Sequence, residues 1–392
     1  MRVEIEKLDH TGNGIGYVDG KVSFIPKTIV GDVVDASIVK SSKKYNILKV
    51  NRIISKSENR IDSICPYYKI CGGCNISNLS YNKQLDFKKN KVINIFQRYL
   101  DIDINPGIIG SYKQYKYRNK ITFHVKDNRI GLVSDFGDII EIPNCLLMSD
   151  KVNELYRVIR KEDLSKVKRI TIKECDNGLI LNIDGMMKIN KLRDYTIEIN
   201  LNGICVYHIT DGYINIDNLK YKVSSKSFFQ VNTNNISNLY NEIIKYGKFS
   251  GTEKVIDLYC GVGSISLYIA KYVKQVLGIE IIEDAIKDAQ DNAFINNIKN
   301  VEFICSDVSK IDSNLINGDV LIVDPPRTGM DRTTIGLIDN SKIDKIIYVS
   351  CNPMTLVRDI KLLDNYEFKD ISLVDMFPQT HHVECVSVLI HK

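Results

Sequence analysis

Cys351 stands at the end of a mostly apolar run, Ile346-Ile347-Tyr348-Val349-Ser350, and is followed at once by Asn352-Pro353. A thiol at the C-terminal tip of a buried strand is where an open α/β sheet places its reacting groups. Upstream lie the glycine loop Asp257-Leu258-Tyr259-Cys260-Gly261-Val262-Gly263 and, after another apolar strand, Asp324-Pro325-Pro326-Arg327; downstream lies His382-Val383-Glu384. A cofactor loop, a nucleophile and a candidate base suggest methyl transfer onto a carbon that must first be activated. C5 of a uracil is such a carbon. A thiolate added at C6 makes C5 nucleophilic, C5 takes the methyl group, a base removes the C5 proton, and the thiolate leaves. Cysteine suits this because it is both a good nucleophile and a good leaving group. In that scheme Cys351 is the nucleophile and Glu384 the proton acceptor. Asp324 hydrogen-bonds the base or the cofactor amine, and Arg327 keeps the thiolate available near neutral pH. Asp-Pro-Pro-Tyr sequences serve amino-group methylation, where no covalent addition is needed; Arg327 with a downstream Cys points to carbon instead.

A strand running into Gly-x-Gly at a helix N-terminus lets the backbone approach a ligand closely. Gly261 opens that pair, and Glu280 ends the next strand 19 residues later, placed to accept both hydroxyls of a cofactor ribose. Asp307 follows the third strand. A dinucleotide fingerprint wants a third glycine where this chain has Ser266, and acidic surroundings suit a cationic methyl donor. S-adenosylmethionine (SAM) is therefore favoured over NAD.

Cys65, Cys71 and Cys74 have spacing C-x5-C-x2-C, and Cys145 follows Pro143-Asn144. Four such thiolates suit a 4Fe–4S cluster or a zinc ion, and spacing alone leaves both open. The first spacing is too long for a radical SAM enzyme. Cys175, Cys205, Cys260, Cys305 and Cys385 read as core or strand residues.

The positioning elements follow from periodicity. Short alternating strands with glycine turns over 1–55 predict a small OB-like barrel. Residues 56–225 form a cysteine-bearing, strand-rich middle domain, with a helix over 78–100 that could pack on the catalytic domain. From 226 to 392, apolar runs at 254–258, 276–280, 301–304, 320–323 and 346–349 alternate with helices at 264–274, 282–297, 331–340 and 354–364. That is an α/β doubly wound sheet. The chain has 392 residues, 44% apolar and 26% charged, which is ordinary for a soluble protein of two or three domains. No signal peptide or membrane span is expected, and ten Cys without an export signal point to a reducing cytoplasm. A monomer is expected. The net charge of +5 is unevenly spread: residues 1–130 hold 23 Lys+Arg against 12 Asp+Glu, while the rest is net acidic. A basic front on an acidic catalytic part predicts a nucleic-acid partner.

Taken together, C-x5-C-G-G-C with a late Cys, Phe228-Phe229-Gln230-Val231-Asn232, D-L-Y-C-G-V-G, D-P-P-R, S-C-N-P and H-x-E resemble the bacterial RNA uracil-5-methyltransferases. The resemblance is to the branch with an N-terminal TRAM domain and an iron–sulfur cluster, and it spans essentially the whole chain. It implies that Cys65, Cys71, Cys74 and Cys145 hold a 4Fe–4S cluster of structural or RNA-folding use. It implies that Gln230, Tyr259, Glu280 and Asp324 contact SAM or the base, that Cys351 is nucleophile, and that Glu384 is base. Phe228 or Phe229 would stack on a uracil taken out of its RNA context. Because the tRNA-modifying branch typically lacks both TRAM and cluster, the resemblance implies 23S rRNA as substrate.

Overall fold

A computed structural model describes residues 1–392. Its largest sheet has eight strands, in spatial order Val301–Cys305, Gln275–Glu280, Lys254–Leu258, Val320–Val323, Lys345–Ser350, Glu384–His391, Tyr366–Val374 and Ile108–Ile109. The first five are parallel. Val320–Val323 is buried along its whole length, as expected of a strand covered on both faces. Ser264–Ile269, Glu283–Ile295, Arg332–Asp339 and Pro353–Ile360 supply the covering helices. One apolar cluster gathers Val255, Val276 and Ile322 from one face; another gathers Ile256, Leu321 and Ile346 from the other. Strand order reverses around Lys254–Leu258, so a crevice opens at the carboxyl ends beside it. Three further strands complete the sheet; among them Glu384–His391 and Tyr366–Val374 form an antiparallel pair, and Glu384–His391 also runs antiparallel to Lys345–Ser350. This pair was missing from the periodicity reading.

The N-terminal barrel has six strands rather than five, in order Arg2–Glu4, Val33–Ser41, Asn46–Ser55, Lys21–Ile25, Gly14–Val18 and Lys7–Leu8. Val3, Ile5, Ile25, Val34, Ala36 and Leu48 fill it. A seven-stranded sheet spanning 120–208 forms the middle of the molecule, backed by the helix Asp150–Ile159. The catalytic unit reaches further back than residue 226. The helix Tyr81–Leu100 sinks Val92, Ile95 and Phe96 into the catalytic core, with Phe96 against Phe368 at 5.1 Å between ring centres. Ile108–Ile109 adds a strand to the catalytic sheet. The hairpin Tyr213–Ile216 and Leu219–Lys222 also lends Ile214, Ile216 and Tyr221 to that core. No helix is long and apolar enough to cross a membrane.

Candidate active site

Cys351 sits in the elbow between the strand Lys345–Ser350 and the helix Pro353–Ile360. Asn352 caps that helix by accepting from the Met354 amide at 3.2 Å, and Pro353 takes the first turn, where no amide is needed. The Asn352 side-chain Nδ2 also donates to the Arg327 carbonyl at 3.1 Å, and Thr355 Oγ1 does so at 3.4 Å. Ser350-Cys-Asn-Pro thus fixes its own turn and ties down the Asp324–Arg327 loop. Across the sheet, Ser350 pairs with Cys385. One step further along that register, Cys351 opposes Glu384, so the antiparallel strand delivers the carboxylate to the thiol.

The electrostatics follow from this placement. Burial, then the Glu384 carboxylate, pushes the Cys351 thiol up to about 12, while Arg327 pulls it down. Arg327 thus acts in the direction expected of it, against burial and Glu384. Glu384 is 2% exposed, its Oε2 has no hydrogen-bond partner, and burial followed by Asp324 raises it to about 8. Asp324 is mostly buried, and burial followed by Asp257 lifts it to about 7.

The glycine loop is built from residues in the left-handed region: Tyr259, Gly261 and Gly263 have φ of 65°, 55° and 75°. Gly263 is required twice, since a Cβ there would lie 2.7 Å from the Phe303 ring. Glu280 Oε2 accepts from the Gly261 amide at 3.2 Å, while Oε1 accepts from the Ile281 and Ile282 amides at 2.9 and 3.0 Å. Its carboxylate is held at the strand tip beside the loop. Asp257 escaped the sequence reading as a functional residue. It is fully buried, burial lifts it to about 7, Ser266 donates to its Oδ2 at 2.5 Å, and its Oδ1 is unpartnered. Ser266 is therefore no vacant glycine position but the group that aims Asp257. Asp307 is employed locally: Oδ1 accepts from the Ser309 amide and hydroxyl, and Oδ2 pairs with Lys310 at 3.2 Å.

Gln230 is buried in a segment held from both sides. The Asn119 side chain donates to the Gln230 carbonyl at 3.0 Å, and Asn232 donates to Ser111 Oγ and the Met376 carbonyl. Of the two phenylalanines, Phe229 lies in the core against Tyr221, whereas Phe228 is 64% exposed and free to stack.

Cys65, Cys71, Cys74 and Cys145 come together although 71 residues separate the last two. Burial raises Cys74, with Cys145, Cys71 and Cys65 adding to it; burial also lifts Cys145 to about 11, with Cys71 and Cys65 adding. The glycines between Cys71 and Cys74 are explained. A Cβ on Gly72 would strike the Val133–Ser134 backbone at 2.9 Å, and the Gly73 amide donates to Cys71 Sγ at 3.4 Å. Buried Lys27, from the barrel, donates to the Cys71 and Cys74 carbonyls and pairs with Asp135 at 3.3 Å. No three His, Cys, Asp or Glu side chains stand at the separations a single metal ion demands.

Residues 207–392 match the family model described as tRNA (Uracil-5-)-methyltransferase, and residues 1–46 match the TRAM domain. An RNA methyltransferase of Halalkalibacterium halodurans is 33% identical over 99% of this chain and 96% of its own length. One from Clostridium acetobutylicum is 33% identical over the same shares of each chain. Among solved structures, the Pyrococcus abyssi tRNA (uracil-54, C5)-methyltransferase in complex with S-adenosyl-L-homocysteine superposes with a TM-score of 0.81. It is 26% identical and covers 100% of this chain and 99% of its own.

Proposed function

Because the chain belongs to the RNA uracil-5-methyltransferase family and carries its TRAM domain, we propose that it methylates C5 of a uridine in RNA through a covalent Cys351 adduct. The observation that carries this reading is the convergence of Cys351, Arg327, Asp324 and Glu384 at the tip of adjacent strands. SAM, when bound, supplies a methyl group on a positively charged sulfur. Asp257 and Asp324 fit such a ligand, because burial holds their carboxyls back from ionising and a nearby cation favours the charged form; Glu280 is held at the strand tip by three backbone amides. Gln230, Tyr259, Gly261, Glu280 and Asp307 line the cofactor side, and Phe228, Asp324 and Arg327 the base side.

Cys351 Sγ forms a bond to C6 of the uracil. Its proton passes to solvent as the ring arrives, because the charge then moves to the ring oxygen at C4 instead of resting on a buried sulfur. Glu384, ionised, takes the C5 proton after methylation, and the C6–S bond breaks to regenerate the thiolate. RNA containing 5-fluorouridine has no C5 proton to remove, so with SAM it should trap the enzyme covalently. An adduct formed equally well by Cys351→Ala would overturn the mechanism.

The proposed target is a uridine of 23S rRNA, on the strength of the basic barrel and the four cysteines. A tRNA uridine is a second reading, favoured by the end-to-end similarity to the Pyrococcus tRNA enzyme; the barrel alone does not separate the two. Mapping 5-methyluridine in rRNA and tRNA from cells lacking the gene decides between them. Loss confined to tRNA would remove the rRNA assignment.

The four cysteines are proposed to hold a 4Fe–4S cluster away from the chemistry. Four thiolates also suit a zinc ion, and metal analysis tells the two apart. Protein purified without oxygen should contain iron and sulfide and lose both on Cys74→Ser. Colourless protein with stoichiometric zinc would exclude the cluster.

A further inference from the structure

The turn that leads into Glu384 is held by the cysteine loop, not only by the catalytic domain. Gln379 has a φ of 70°, a left-handed conformation that a non-glycine residue keeps only when its surroundings fix it. The Asn75 and Ile76 amides both donate to the Gln379 carbonyl, at 3.1 and 3.3 Å. Asn75 Oδ1 lies 2.8 Å from His381 Nδ1. A carboxamide oxygen can only accept, so Nδ1 carries the proton. From the helix Tyr81–Leu100, Gln84 Oε1 accepts from the Gln379 amide at 2.9 Å, Gln84 Nε2 donates to Gln379 Oε1 at 3.1 Å, and Lys91 donates to the His381 carbonyl at 2.9 Å. Asn75 follows Cys74 directly, and His381 precedes Glu384 by three residues.

We propose that Asn75 is a positioning residue for Glu384, holding the turn that presents the base to the C5 proton. The proposal rests on Glu384 being that base. It assigns the cysteine loop a part in the last chemical step, without contact between any cysteine and the substrate. Addition and methyl transfer use Cys351, whose elbow is built independently by Asn352 and Pro353, so they are spared when Asn75 is altered.

The test measures the two halves of the reaction separately, on the full chain. Trapping by 5-fluorouridine RNA reports addition and methyl transfer; breakdown of the adduct on ordinary uridine RNA reports proton removal. Asn75→Ala should trap at the wild-type rate but resolve the ordinary adduct on the order of tenfold more slowly, as expected for a misplaced catalytic group. Asn75→Asp, which keeps the acceptor for His381, should resolve it near the wild-type rate. Gln84→Ala loosens Gln379 without touching the cysteine loop and should reproduce the split. Equal slowing of trapping and resolution in both Asn75→Ala and Gln84→Ala, or unchanged resolution in both, would overturn the proposal. Failure of the wild type to trap would instead sink the functional reading beneath it.

Discussion

At the scale of single residues, Glu384 is a carboxyl group whose ionisation its own fold makes costly. Its pKa rises from an ordinary 4.5 to about 8, with burial the main cause. Between those values the unfolded chain is ionised and the folded one is neutral, so the folded state binds more protons and stability falls as pH rises. Glu384→Gln removes that cost. Its melting temperature should exceed the wild type's at pH 8, by an amount corresponding to about 4 kcal/mol, and the gap should close towards pH 4. A gap independent of pH would mean that packing, not charge, is responsible. The acids beside it make a second prediction. Asp257 and Asp324 both stand near 7, so a cation between them binds more tightly once they ionise. The affinity ratio of SAM over its neutral-sulfur product S-adenosylhomocysteine should climb up to about tenfold as pH rises through this range; calorimetry at several pH values measures it, and a flat ratio would place the sulfonium elsewhere. The meeting of Cys351 with Glu384, and of Glu280 with the glycine loop, was legible because residue type and spacing announce it. Asp257 was not, because its partner Ser266 looks in sequence like a missing glycine.

At the scale of elements, the helix Tyr81–Leu100 is a clamp on the loop that precedes Glu384–His391. Lys88 and Asp375 form a fully buried ion pair at 2.6 Å; Tyr81 and the Phe377 amide also donate to Asp375, and Lys88 donates to the Phe377 carbonyl. Removing one partner strands a buried charge. Lys88→Met should therefore destabilise the protein by about 3 kcal/mol in urea unfolding, and adduct resolution should slow in the residual folded protein. A neutral effect would mean that water reaches Asp375. The parallel strands were legible because each is a continuous apolar run. Tyr366–Val374 was not, since Glu367, Lys369 and Asp370 break its pattern. In the middle sheet, Lys173 is buried inside a strand with its ammonium on the Ser224 and Ser227 carbonyls, a placement that hides the alternation.

At the scale of the whole molecule, charge and connectivity divide differently. The positive excess lies in residues 1–130, yet the catalytic unit already begins with the helix at Tyr81 and runs through Ile108–Ile109. The domain boundaries were illegible for that reason: segments far apart in sequence share one core, and no linker composition marks the crossing. Lys43 and Lys44, at the exposed tip between the two longest barrel strands, are placed to meet phosphates. Replacing both by Ala should reduce the slope of log affinity against log salt by about 2, measured by filter binding with uridine RNA. An unchanged slope would put the RNA on another face.

Phe228 offers a consequence of a different kind. The chain contains no Trp, so Phe228→Trp would give it a single indole, at a site 64% open to solvent. Excited at the red edge of aromatic absorption, that indole would emit as a hydrated fluorophore in the free protein. Its emission would quench when a nucleobase settles on it. The arrival of the flipped uridine could then be timed optically and separately from any bond it goes on to form.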